Sequence, residues 1–321
     1  MAGSGGADRR PGQEGPVSSA HRRILLVAHP NRPDAIHLAR EVAQRLLGEG
    51  IGIVLDPMTA QAVDPGHDLV SIGDGDRPAE GCELVLVLGG DGSILRGAEL
   101  SRGSDAPLLG INLGHVGFLA ESEREDTDAT IERILDRDYA ITERMTLDVV
   151  SRLDGREFAR TWALNEATVE KASRERMLEL TVEIDGRPLS TWGCDGVVMA
   201  TPTGSTAYAF SAGGPVVWPD VDAMLVVPIS AHALFARPLV LSPRSRLAVE
   251  VVSGNEGQGV LWCDGRRAVD LPAGARVEVC RSAEPVRLAR LSEQPFTDRL
   301  VEKFDLSVHG WRGPRPNRAG P

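Results

Sequence analysis

The run Leu84-Val85-Leu86-Val87-Leu88-Gly89-Gly90-Asp91-Gly92-Ser93-Ile94-Leu95-Arg96 passes from an unbroken apolar stretch into a glycine-rich turn and then into a helical pattern. A short apolar run of this kind, with no polar alternation, suits a parallel strand covered on both faces. Strand, tight turn and helix in that order belong to an open α/β sheet, where ligands bind beyond the carboxyl ends of the strands. Gly89, Gly90 and Gly92 permit positive φ and close approach of a phosphate. The backbone N–H groups at the helix start then offer an anion site. Asp91 is the odd member, because a carboxylate repels phosphate. It has a purpose there if it accepts a proton, orients a hydroxyl or meets phosphate through a metal ion. The alternative is that it caps the helix that follows.

Outward from this turn the first half alternates strand and helix. Ile24 to Ala28 is another continuous apolar run, and Pro33-Asp34 opens a helix with Ile36, Leu38, Val42 and Leu46, closed by Gly48. Ile51 to Leu55 reads as a strand, Asp64 to Glu80 as a loop, Leu108 to Ile111 as a further strand, and Asp126 to about Asp136 as a helix. An open, parallel α/β sheet is expected. Near Tyr139 the pattern changes. Leu178, Leu180, Val182 and Ile184 alternate with Glu179, Thr181, Glu183 and Asp185, and similar alternation recurs at Leu247 to Val251 and at Val260 to Trp262. Asp154-Gly155, Asp185-Gly186 and Asp264-Gly265 are hairpin-turn signals. The second half is therefore mainly antiparallel β. The expected division is a disordered 1–20, an α/β domain over 21–140, a β-rich domain over 141–290, a segment 291–309 packing back on the first domain, and a disordered tail 310–321.

At 321 residues, 42% hydrophobic and 25% charged, the chain can bury a sizeable core without disulfides. Its formal net charge of −11 disfavours nucleic acid and anionic membranes, yet a local pocket can still attract a small anion. Cys82, Cys194, Cys263 and Cys280 show no C-x-x-C spacing and no zinc pattern, so they read as reduced thiols in a cytoplasmic protein. Neither a signal-peptide core nor a membrane-spanning run is found.

Two further stretches carry chemistry. Thr201-Pro202-Thr203-Gly204-Ser205-Thr206-Ala207-Tyr208, followed by Ser211-Ala212-Gly213-Gly214-Pro215, is dense in hydroxyls and brings Tyr208 to stack on a base. A surface turn would explain its Pro and Gly but not its hydroxyls. Asn165-Glu166 sits between apolar residues; the pair suits the two hydroxyls of a ribose, and a plain turn competes with that. His232 is either a ligand contact or a structural histidine. There is no P-loop, no G-x-G-x-x-G after a strand, no G-x-S-x-G elbow and no H-E-x-x-H.

Taken together, Gly89 to Ser93, Asn112 to Leu119, Asn165-Glu166, Thr201 to Tyr208 and Gly213-Gly214-Pro215 closely resemble the NAD kinase family, in order and spacing, from Ile24 to Phe304. The glycine-aspartate turn alone is shared with diacylglycerol, sphingosine and 6-phosphofructokinase relatives. The resemblance implies an N-terminal α/β domain and a C-terminal β-sandwich-like domain with NAD bound between them. It implies a homodimer or homotetramer in which a neighbouring subunit helps close the site. Asp91 then corresponds to the catalytic carboxylate, Gly92 and Arg96 to nucleotide contacts, and Asn165 and Glu166 to the ribose grip. Arg176, Asp195, Thr206, Ala207, Tyr208 and Ser211 fall at dinucleotide-contact positions.

The activity implied is phosphorylation of the adenosine-ribose 2′-hydroxyl of NAD to NADP, with ATP or polyphosphate as donor and a divalent ion, Mg²⁺, carried by substrate and water rather than by a protein cage. Asp91 would orient the hydroxyl and take its proton late, with alignment of the two substrates supplying more than base catalysis. Two rivals remain at this level. A lipid kinase would need an apolar groove, and a pyridine-nucleotide sensor would bind without turnover and need no Asp91.

Overall fold

The structure is a computed structural model and describes residues 22–63, 66–73, 75, 77–114, 117–173, 177–252, 258–291 and 295–308. Arg176 and both terminal segments of the sequence reading lie outside these residues.

The first half runs β1 (Arg23–Ala28), α1 (Pro33–Gly48), β2 (Gly52–Leu55), α2 (Pro57–Ala60), β3 (Val70–Ile72), β4 (Leu84–Leu88), α3 (Asp91–Ser101), β5 (Leu108–Asn112), β6 (Ser122–Glu123), α4 (Thr127–Asp136) and β7 (Ala140–Arg144). Every residue of β4 and β5 is buried, which is why neither shows alternation in the sequence. In α1 the apolar residues Ala35, Leu38, Ala39, Val42, Leu46 and Leu47 fall on one buried face, and Pro33 occupies the first turn, where no N–H is needed. The loop expected over 64–80 contains the short strand β3, whose Ile72 is largely exposed. It pairs with β2 alone at the sheet edge, and three residues are too few to show a period.

The second half runs β8 (Leu147–Leu153), β9 (Arg156–Ala163), β10 (Glu166–Lys171), β11 (Leu178–Ile184), β12 (Arg187–Cys194), β13 (Gly196–Ala200), α5 (Tyr208–Ser211), β14 (Met224–Ile229), β15 (Leu239–Leu241), β16 (Leu247–Val251), β17 (Gly259–Cys263), β18 (Arg267–Leu271) and β19 (Arg276–Arg281). These strands form two six-stranded antiparallel sheets, ordered β15-β14-β13-β10-β17-β18 and β12-β11-β16-β19-β8-β9. Leu180, Val182, Trp192, Val249 and Val277 of one sheet and Val169, Val197, Met199, Val226 and Leu261 of the other share a single core between them. That is a β-sandwich. Hairpins turn at Asp154-Gly155, Asp185-Gly186 and Asp264-Gly265, where both residues have positive φ, as the primed turns require. In β17 the inward residues are Leu261 and Cys263, so Trp262 faces outward.

The chain then returns. β20 (Val286–Arg290) enters the first sheet between β5 and β7, giving the order β3-β2-β1-β4-β5-β20-β7 with β6 beside β5. Strand Val286–Arg290, read from sequence as part of the β-rich domain, thus belongs to the α/β sheet, and its antiparallel partner β7 closes that edge. α6 (Phe296–Phe304) packs on Phe118 of the first domain and on Phe210 and Trp218 of the second.

Candidate active site

β4 delivers the glycine turn to the carboxyl edge of the first sheet. Gly89 has φ +154°, and a Cβ there would run into the Ser93 side chain. Of the three glycines only Gly89 uses the positive φ that its residue type permits; Gly90 has φ −85°. Side chains at Gly90 and Gly92 would meet nothing within 4 Å, so the outer surface of the turn is clear for a ligand. Asp91 begins α3 but does not cap it. Its two carboxylate oxygens instead accept hydrogen bonds from the backbone N–H groups of Phe118 and Leu119, each at 3.2 Å. Gly117 packs so closely on this carboxylate that a Cβ would overlap Oδ1. Each Asp91 oxygen keeps lone-pair capacity for one more donor.

Arg96 lies on α3 beyond the turn, and its guanidinium forms an ion pair with the fully buried Asp56. Asp56 in turn accepts from the N–H groups of Met58 and Thr59 and so caps α2. The expected nucleotide contact at Arg96 is therefore tied back into the fold.

From the second domain comes Asn165-Glu166. Asn165 precedes β10 and Glu166 starts it, both buried. The turn that presents them is held by Asp264, whose carboxylate accepts from the N–H groups of Leu164 at 3.0 Å, Asn165 at 2.7 Å and Glu166 at 3.3 Å, and from Arg267 at 2.6 Å. Thr201 closes the other side: its N–H donates to the Asn165 carbonyl and its hydroxyl to the Leu164 carbonyl. Among the described residues Asn165 Oδ1 and Glu166 Oε2 are buried without a hydrogen-bond partner. Leaving such acceptors unpaired costs about 1–3 kcal/mol each, so they mark where ligand hydroxyls belong. Burial, with the Asp264 charge alongside, pushes the Glu166 carboxyl up to about 8.

The hydroxyl-rich loop folds over this pair. Gly204 lies directly on the Asn165 carbonyl, with no room for a Cβ. Ser205 is fully buried and staples the loop to Val217 by two hydrogen bonds. The loop is thus no free surface turn. Tyr208 follows this loop at the start of α5, close enough to Glu166 for the two to interact electrostatically, and is 37% exposed. Burial, then Glu170, Asp195 and Glu166, raise its phenol above the usual range. Asp195 forms an ion pair with Lys171 at 2.5 Å, which holds its carboxyl below the usual range. Thr206 Oγ1 donates to the Thr203 carbonyl, Ala207 N–H to the Gly204 carbonyl, and Ser211 lies exposed on α5. His232 bridges Gly193 through its backbone and keeps its side chain exposed.

The two halves meet through packing. Ile94 of α3, Leu119 next to Phe118, and Leu164 next to Asn165 belong to one buried cluster, which brings Asp91 and the Asn165-Glu166 pair to the same interdomain junction. Polar contacts reinforce it. Glu99 of α3 pairs with Arg266 at 3.0 Å and Arg267 at 3.6 Å, and the guanidiniums of Arg102 and Arg267 pack on the Trp162 ring at 4.4 and 4.5 Å. Sequence reading missed Asp264, Glu99, Arg267 and the Phe118 and Leu119 amides as parts of the site. Asp264 was visible only as a hairpin signal, and backbone donors have no sequence signature.

Residues 24–139 match the ATP-NAD kinase N-terminal domain family and residues 164–291 the ATP-NAD kinase C-terminal domain family. An NAD kinase of Leifsonia xyli subsp. xyli is 60% identical over 300 residues, covering 92% of this chain and 98% of that protein. An NAD kinase of Thermobifida fusca is 55% identical over 332 residues, covering 98% of each. Among solved structures, a yeast NADH kinase complexed with NADH superposes with a TM-score of 0.80 at 24% identity, covering 90% of this chain and 89% of that one. An NAD kinase from Archaeoglobus fulgidus in complex with ATP gives 0.67 at 23%, covering 89% and 100%. These last two share the fold. Matched along both halves by family and at majority identity by whole-length relatives, the chain belongs to the NAD kinase family.

Proposed function

We infer that this chain transfers the terminal phosphoryl group of ATP to the adenosine-ribose 2′-hydroxyl of NAD, producing NADP. The observation that carries the reading is the pair of unpartnered buried acceptors, Asn165 Oδ1 and Glu166 Oε2, beside the half-exposed ring of Tyr208. Two neighbouring buried acceptors close to a partly exposed tyrosine suit a nucleoside, whose vicinal hydroxyls donate and whose base stacks.

Asp91, held by Phe118 and Leu119, accepts the hydrogen bond of the attacking 2′-hydroxyl and fixes its direction. In a loose phosphoryl-transfer transition state the proton leaves late, so orientation outweighs base strength. Positioning of two substrates is worth roughly 7–11 kcal/mol. Within this reading Gly92, Arg176, Asp195, Thr206, Ala207 and Ser211 complete the nucleotide contacts, and Arg96 acts through Asp56. The α/β unit supplies Asp91 and the β-sandwich unit, from β8 to β19, the ribose grip.

Among the described residues no three His, Cys, Asp or Glu gather into a metal-binding group. A divalent ion, Mg²⁺, would arrive on the donor phosphates, held by substrate and water, and neutralise their charge. Among the described residues no helix is long and apolar enough to cross a membrane. Cytoplasmic location and a homodimeric or homotetrameric assembly complete the proposal, and light scattering checks the latter.

The test is NADP formation from NAD, ATP and Mg²⁺, with Asp91→Asn as control. A turnover loss of at least about 10²-fold at near-normal NAD affinity is expected. Polyphosphate in place of ATP identifies the donor. Binding of NAD without NADP from either donor would replace this reading with a nucleotide sensor.

A further inference from the structure

Beside the nucleoside site, and sharing Thr206 with it, lies a cavity of about 620 Å³, a size suited to a small ligand. Arg144 of β7, Arg290 of β20 and Arg299 of α6 line it with cations, and Thr203, Thr206 and Trp218 also line it.

The charges do not balance locally. Glu121, almost fully buried behind the wall, takes Arg290 and Arg299 at 2.8 Å each. Arg299 also donates to the carbonyls of Phe118 at 3.3 Å and Ala120 at 2.5 Å, yet its Nε is buried without a partner among the described residues. Arg144 donates to the carbonyl of Glu143 at 3.3 Å, and among the described residues no carboxylate lies within ion-pair distance of it. Asp220 is the other carboxylate near Arg144, and Arg133 at the rim is neutralised by Asp138 at 2.8 Å. Three guanidiniums therefore face two carboxylates. Burial and mutual repulsion hold Arg144 and Arg290 below the usual guanidinium range. Part-buried cations without counter-charge are costly, and planar guanidiniums match phosphate oxygens.

We propose that this cavity receives the polyphosphate arm of the phosphoryl donor, with Arg144 and Arg290 as its anion wall and the Thr203 hydroxyl as a donor. The proposal rests on the function inferred above and assigns its second substrate a place. Position selects the donor over an unrelated anion. Phe118 and Leu119 line the cavity and are the residues whose N–H groups hold Asp91. Thr206 lines it too and belongs to the loop that folds over Asn165 through Gly204. In the transfer the bond between the terminal phosphorus and its bridging oxygen breaks as one to the ribose 2′-oxygen forms. The shortened polyphosphate keeps the electron pair, and the hydroxyl proton passes to Asp91.

The experiment is calorimetric titration of the full-length protein with tripolyphosphate and with ATP, without NAD, on wild type, Arg144→Gln and Arg144→Lys. Both anions should bind wild type, with affinity reduced at least about tenfold by Arg144→Gln and largely restored by Arg144→Lys. In turnover, Arg144→Gln should raise the donor KM by a similar factor and leave the NAD KM within about twofold. Trp218→Ala separates the sources: loss confined to ATP assigns the aromatic wall to a nucleotide base, and equal retention of both assigns the cavity to a bare phosphate chain; both support the anion site. Should Arg144→Gln not fold, Thr203→Val replaces it, with a donor KM raised about threefold expected from one lost hydrogen bond. Absence of anion binding in wild type, or donor binding and KM unchanged in these variants, overturns the proposal. NADP formation with donor KM indifferent to Arg144 sinks the cavity and spares the function. Tripolyphosphate binding that depends on Arg144, without NADP, does the reverse.

Discussion

The Asp264 carboxylate accepts the Asn165 N–H at 2.7 Å, and this bond, with those from Leu164 and Glu166, shapes the turn that presents the two unpartnered acceptors. Arg267 ties the same carboxylate towards Glu99 of α3, so one buried acid connects the ribose grip to the helix that starts with Asp91.

Asp264→Ala should therefore weaken both fold and binding. It strands three buried N–H groups, each costing about 1–3 kcal/mol when unpaired, though local water will relieve part of this. A stability loss of about 3 kcal/mol and an NAD affinity reduced at least about tenfold are expected. Denaturant unfolding and NAD titration measure the two. Unchanged NAD affinity in a folded variant would remove Asp264 from the site.

Gly117→Ala addresses Asp91 without touching it. The new Cβ overlaps Asp91 Oδ1, so the carboxylate must move away from the Phe118 and Leu119 amides. Displacing a positioned group by about an ångström costs on the order of 10²-fold in turnover. The expected result is a kcat loss of that order with the NAD KM within about threefold. Wild-type kcat in this variant would show that the Asp91 geometry seen here is not the working one.

Glu166 makes stability depend on pH. Its folded-state pKa of about 8 lies above the ordinary 4.5. Between those values the native state holds a proton that the unfolded state has lost. That contribution is complete below the lower value and is lost as pH rises through the upper one. The unliganded protein should therefore lose stability from pH 5 to pH 8 on account of this group. Glu166→Gln keeps the side chain neutral and should flatten the trend, with a melting temperature at pH 8 at least about 3 °C above wild type. Parallel melting-temperature profiles for the two proteins would rule out a buried, protonated Glu166.

Much of the architecture was legible along the chain, because short-range physics wrote it. Buried parallel strands appear as unbroken apolar runs at Ile24 to Ala28 and Leu84 to Leu88, and the sandwich strands alternate because one face is covered. The three Asp-Gly turns announce hairpins through their backbone preference. The glycine turn, Asn165-Glu166 and the hydroxyl loop stood out because their residue types are at odds with plain burial.

What remained hidden depends on contacts between residues far apart in the chain. β20 reads like any other strand, and its place beside β5 rather than in the sandwich follows from where the chain returns. The anchoring of Asp91 uses backbone amides 27 and 28 residues away, and backbone donors are the same for every residue type. Arg96 turning to Asp56, Asp264 gripping three N–H groups, and Arg144, Arg290 and Arg299 gathering at one cavity are likewise decided by packing. Local propensity and periodicity act over a few residues and can name the parts. The depth at which a charge lies, and which partner it finds there, are set when distant segments close around it.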